Sequence, residues 1–191
     1  MISSSYIKTY NMFGLFVSVS SLLAGLRFYA TGNIGYLKIM GMLQSFFIME
    51  IANICTKKSN ARYLPTVMQV ISQLLMVWIV FWYYRIINWS FPLIIACWCL
   101  SNMIRYVFYI FRTHTIGIIR YNLFLITSPT GFLLEMYCLK TLYDSSGRVL
   151  SYVVAISALA YVPGFMFIFS HMLRQRRWSK KTRAARHKKK A

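Results

Sequence analysis

Six apolar stretches, with approximate limits 12–29, 35–55, 65–83, 91–111, 116–141 and 149–173, take up most of this chain of 191 residues. Each is close to the roughly 20 residues of helix that cross a hydrocarbon layer about 30 Å thick. The separators, "ATGN", "TKKSNARYL", "RIINWS", "RTHT" and "YDSSGR", are turn-like or polar and leave no room for a soluble domain. The expected fold is therefore all-α: a polytopic membrane protein whose bundle of six transmembrane helices occupies residues 1–173, with a basic cytosolic tail over 174–191. The first stretch is long for a signal peptide and no clear small-residue cleavage site follows it, so it is read as a helix of the bundle.

Hydrophobic residues make up 58% of the chain and charged residues 13%, yet the net charge is +19. That charge is unevenly placed: ten of the 22 Lys and Arg follow residue 173, in "RQRRWSKKTRAARHKKKA". No aromatic or motif framework for reading bases accompanies them, so no nucleic-acid partner is expected. A basic segment beside a helix end is instead a topology determinant and a contact for anionic membrane lipid. With the tail in the cytosol, six crossings put the N-terminus there too, together with Lys57, Lys58, Arg62 and Arg112. The opposite loops carry only Arg85 and the Asp144/Arg148 pair, which agrees with both termini being cytosolic. The final Lys188-Lys189-Lys190-Ala191 resembles the dilysine retrieval signal of endoplasmic reticulum membrane proteins.

Cys55, Cys97, Cys99 and Cys138 all fall in or at the ends of apolar stretches and have neither a disulfide framework nor zinc spacing. Cys99 and Arg105 share the Cys-x5-Arg spacing of tyrosine phosphatases. "CLSNMIR" has no glycine and lies within an apolar helix, so it offers no loop of N–H groups for a phosphate.

An ionised group at mid-membrane costs on the order of 3 kcal/mol and normally faces a bundle interior with a partner. The deep candidates are Glu50, Arg105, Arg120 and Glu135. Two acids and two bases permit structural ion pairs. The stretch "ITSPTGFLLE", 126–135, carries a further pattern. Ser128 and Glu135 are seven residues apart, so on a helix they share a face about 10 Å apart along the axis, and Tyr121 continues the stripe. Pro129 is expected to interrupt this helix by removing its own N–H, and Gly131 to loosen the next turn. A broken membrane helix lines a cavity or is packed in protein. Ser128 and Glu135 then face an internal polar site or mark a kinked structural helix. An interior site requires Glu135 to be turned from lipid and within roughly 10 Å of Arg105 or Arg120. Gln44, Glu50, Asn53, Gln69, Ser72, Gln73, Asn102 and Arg105 are candidates to line the same space. Such a bundle suits an enzyme, a transporter or a scaffold.

Seven segments in order carry a resemblance: "YIKTYN" at 6–11, "LQSFFIMEI" at 43–51, "TVMQVISQ" at 66–73, "IRYVFY" at 104–109, "IRYNLF" at 119–124, "SPTGFLLE" at 128–135, and "YVPGF" with "HMLRQRR" within 161–177. Together they resemble the very-long-chain 3-hydroxyacyl-CoA dehydratases of fatty acid elongation, formerly called protein-tyrosine-phosphatase-like proteins. The resemblance implies a six-helix endoplasmic reticulum protein that removes water from a (3R)-3-hydroxyacyl-CoA to give the trans-2-enoyl-CoA. It implies no metal or organic cofactor, an acyl-CoA substrate, and other elongation-cycle membrane proteins as partners.

In that family a tyrosine and a glutamate seven apart form the acid/base pair. Glu135 falls on the glutamate and Ser128 on the tyrosine. Gln73, Asn102 and Asn53 likewise stand where the family has arginine, glutamate and a common histidine. Glu50, Gln69, Arg105, Arg120, Tyr121 and Gly131 match and are expected to bind or support. Two readings follow. In the first, the chain is a dehydratase with Glu135 as base and Ser128, a water or Tyr121 as acid. In the second, it is a catalytically impaired membrane scaffold or acyl-binding subunit of the elongation complex.

Overall fold

The computed structural model describes residues 4–56, 63–111 and 113–188, and these are helical apart from short turns. Helix α1 spans Ser4–Thr31, α2 Ile34–Ser45, α3 Ile48–Cys55 and α4 Tyr63–Leu75; a π-helical segment, Met76–Tyr83, continues α4. Then come α5, Ser90–Phe111, α6, His114–Ser145, and α7, Arg148–Lys188. The apolar stretches thus become α1, α2 with α3, α4 with the π segment, α5, α6 and α7. Tyr6–Thr31, Ile34–Cys55, Thr66–Tyr83, Ser90–Phe111 and Arg148–Arg174 are long and apolar enough to cross a membrane. Helix α6 has 32 residues, ample length, but Arg120, Asn122, Ser128 and Glu135 dilute its hydropathy. The chain is a multi-pass membrane protein. Helix α7 runs past residue 174 to Lys188, so the start of the basic tail extends the last helix; Lys57, Lys58, Arg62, Arg112 and the final three residues lie outside the described residues.

The second stretch is not one helix. It bends at Phe46–Phe47, where Phe46 N–H donates to Leu43 O at 3.2 Å, and Ser45 Oγ donates back to Gly41 O at 2.9 Å, a bond that bends helices. The third widens into π geometry, with Tyr84 N–H reaching Ile79 O at 3.0 Å, and ends at Arg85, whose φ of 56° is left-handed. The interruption expected at Pro129 does not occur, since α6 is continuous through it and Gly131. One N–H is lost, but the preceding turn is pinned: Thr127 Oγ1 donates to Leu123 O at 3.1 Å and lies 2.8 Å from Ser101 Oγ of α5.

Helix α5 is the hub, packing on α1 and α6, while α1 also packs on α2. Phe28, Phe81 and Phe91 meet edge to face at centroid distances of 5.4 and 4.9 Å within a core that includes Met40, Ile94, Ile95 and Cys99. Close approach of α1 and α5 depends on Gly14, because a Cβ there would lie 2.6 Å from Cζ of the buried Tyr106 ring. Gly14→Leu is expected to destabilise the bundle by about 1–3 kcal/mol through overpacking. Thermal unfolding in detergent measures this; an unchanged midpoint would show that the interface has room.

Helix α7 packs on α6 through an aromatic ladder: Phe132–Phe165 at 4.1 Å, Phe165–Phe169 at 5.5 Å and Phe124–Phe169 at 6.0 Å. Its outer face, with Val149, Tyr152, Ile156, Leu159 and Met166 exposed, suits lipid.

Candidate active site

The stripe along α6 is the axis of a cavity of about 910 Å³ bounded by α4 with its π segment, α5, α6 and α7. Tyr121, Ser128, Glu135 and Leu142 recur every seven residues and all line it. The other walls follow helical spacing too: Gln69, Ser72, Gln73 and Met76 from the third crossing; Trp98, Asn102, Arg105 and Tyr109 from α5; Ser157, Tyr161, Gly164 and Phe165 from α7.

Glu135 is 4% exposed and turned from lipid. Both its oxygens are satisfied. Trp98 Nε1–H donates to Oε1 at 2.6 Å, and the Tyr161 hydroxyl donates to Oε2. A buried carboxylate is tolerated only when so bonded. Neither partner is an arginine. Arg120 is 15 residues back on the same helix, roughly 22 Å along the axis. Its guanidinium lies over the rings of Phe108, Tyr109 and Tyr121 at 5.0, 5.1 and 5.9 Å, and it makes no ion pair among the described residues. The arginine expected within roughly 10 Å of Glu135 is not its partner: fifteen residues of one helix separate Arg120 from it, and Arg105 lies two turns of α5 beyond Trp98, so two neutral donors hold the carboxylate instead.

Of the two ion pairs that the composition permits, one forms. Arg105 Nη2 donates to Glu50 Oε2 at 2.7 Å and to Asn102 Oδ1 at 3.2 Å, with Glu50 and Arg105 side chains 4% and 13% exposed. Arg105 lines the cavity, whereas Glu50 supports it from behind. Gln44 and Asn53, expected on the wall, are not there: Gln44 Nε2 donates to Ser21 Oγ at 2.9 Å, and Asn53 Oδ1 accepts from the Tyr6 hydroxyl at 3.0 Å. Their polar groups tie α1 to α2 and to α3 by hydrogen bonds. Gly131 does line the cavity, but a Cβ there would meet Cys97 Cβ at an ordinary 3.7 Å, so space does not demand glycine. Cys99 is buried in the core on the same unbroken helix as Arg105, with no phosphate loop between them.

The cavity has two chemical ends. Toward the start of α6 stand Arg120, Tyr121, Tyr109 and Arg105; toward its end stand Leu139, Leu142, Leu150, Val153 and Val154, with Glu135 between. Such a site receives an amphipathic molecule with its polar part at the arginines and presents one carboxylate at the junction. Trp98 is absent from the residues that the sequence singles out, and Tyr161 enters there only as the first residue of "YVPGF", with no role at the site. Trp98 lies seven residues before Arg105, and Tyr161 four after Ser157 in an apolar helix, so both belong to polar stripes that helical periodicity can expose.

A family model described as protein tyrosine phosphatase-like protein, PTPLA, matches residues 44–182. The probable very-long-chain (3R)-3-hydroxyacyl-CoA dehydratase of Schizosaccharomyces pombe is 30% identical over 200 residues, covering 95% of each chain. Very-long-chain (3R)-3-hydroxyacyl-CoA dehydratase 1 of Mus musculus is 29% identical over 163 residues, 73% of this chain and 58% of the mouse protein. The corresponding dehydratase hpo-8 of Caenorhabditis elegans is 27% identical, covering 71% of this chain and 73% of its own length. No solved structure matches significantly.

Proposed function

The chain belongs to the protein tyrosine phosphatase-like family, and from that premise we propose that it dehydrates a very-long-chain (3R)-3-hydroxyacyl-CoA to the trans-2-enoyl-CoA in the fatty acid elongation cycle. The observation that carries this reading is Glu135, a buried carboxylate at the junction of the polar and apolar ends of one cavity. The thioester acidifies C2, and Glu135 removes the proton there as general base. The acyl chain lies toward Leu142 and Val154. The thioester and pantetheine lie along Ser128, Tyr121 and Gln69, with Arg120 oriented toward the phosphates. In this arrangement Ser128 bonds the polar part of the substrate. Arg105 is held in place by Glu50.

The same reading puts the protein in the endoplasmic reticulum membrane with both termini in the cytosol, where the other elongation proteins are its partners. The charge on Lys57, Lys58, Arg62 and Arg112 and the lysines before the C-terminus support it.

Purified protein in detergent is expected to convert a long-chain 3-hydroxyacyl-CoA to the enoyl-CoA, read by mass spectrometry of the product. Saturable acyl-CoA binding without turnover would favour the acyl-binding subunit instead.

A further inference from the structure

We propose that Tyr161 is the acid of the elimination, giving its phenolic proton to the departing C3 hydroxyl once Glu135 has taken the proton at C2. The inference rests on the dehydratase reading above.

C2 and C3 are bonded to each other, so base and acid must lie side by side on the cavity wall. Among the described residues, two side chains bond Glu135: Trp98 and Tyr161. An indole N–H holds a carboxylate but is not a proton source at neutral pH, whereas a phenol, with an ordinary pKa of about 10, is one. The other hydroxyls of the α6 stripe are remote. Ser128 lies about 10 Å and Tyr121 about 21 Å from Glu135 along the axis, and an aliphatic hydroxyl is a far weaker acid. Tyr161 is fixed from the neighbouring helix α7, its ring 5.4 Å from that of Phe132, one turn before Glu135.

The contact also closes the cycle. The C2 proton passes reversibly to the Glu135 carboxylate, and the C–H electron pair is held as the thioester enolate. That pair then forms the C2=C3 bond as the C3–O bond breaks, and the hydroxyl leaves as water with the Tyr161 proton. The resulting phenolate recovers a proton from the Glu135 carboxyl across their hydrogen bond. Both groups return to their starting state with no other reactant. Because they stand on one wall, hydrogen and hydroxyl leave from the same face of the substrate.

The test uses the full chain in detergent and a long-chain 3-hydroxyacyl-CoA deuterated at C2. Two rates are read: formation of enoyl-CoA and washout of deuterium from unreacted substrate. In Tyr161→Phe, dehydration is expected to fall on the order of 10²–10⁴-fold, the usual worth of a general acid, with washout within a few-fold of the native rate because the base remains. Unchanged dehydration overturns the proposal. So does a parallel loss of both rates at an unchanged melting temperature, since Tyr161 would then only position Glu135. If Tyr161→Phe fails to fold, 3-fluorotyrosine at 161 keeps the hydroxyl but makes it more acidic. The alkaline limb of kcat is then expected to move to lower pH, and an unmoved limb overturns the proposal. Absence of both rates in the native chain counts against the dehydratase reading itself; native turnover with unaffected Tyr161→Phe counts against the acid alone.

Discussion

Glu135→Gln is expected to abolish dehydration, with a loss of at least about 10²–10⁴-fold in kcat, and to leave the bundle folded. The substitution suits the site. Trp98 can still donate to the amide oxygen, and the amide N–H can donate to the Tyr161 hydroxyl, which turns from donor to acceptor. Shape and hydrogen bonding therefore survive while the base is gone. Binding of a non-reactive acyl-CoA is expected to change only a few-fold, because the acyl chain and the polar end contact other residues. Retained turnover would remove Glu135 from the chemistry and with it the proposed mechanism.

Loss of Glu50 acts on stability and not directly on the reaction. Glu50→Leu strands the Arg105 guanidinium in the bundle, and breaking a buried pair on one side costs about 3–5 kcal/mol. Thermal unfolding in detergent should show a large drop. Glu50→Leu combined with Arg105→Met should recover much of it, because no charge is then left unpaired. If the double variant is no more stable than the single, the cost lies in packing around Ile51 and Tyr106 and not in the charge. Since Arg105 also lines the cavity, the recovered double variant reports separately what the cation does for substrate affinity.

Three things were legible before any fold. Long apolar stretches mark a multi-pass helical bundle because lipid leaves the backbone no hydrogen-bond partner outside the helix. Helical periodicity places Tyr121, Ser128 and Glu135 on one stripe, and they do line one cavity. The scarcity of acids singles out Glu50 and Glu135. Local rules failed where neighbours overrode them. Pro129 does not break α6, because losing one backbone bond is tolerated in a turn held to α5 by Thr127 and Ser101. The bend at Phe46–Phe47 and the π segment leave no clear mark in a uniformly apolar run.

Pairing was decided only by the tertiary structure. Two acids and two bases in one chain admit several pairings. Which of them forms depends on how the helices are rotated and how deep each residue sits, and periodicity along a single helix fixes neither. The fold brings Glu50 of α3 within side-chain reach of Arg105 of α5. Packing of α7 against α6 brings Tyr161 to Glu135 across 26 residues of sequence, a contact between a phenol and a carboxylate that no spacing rule within one helix can predict.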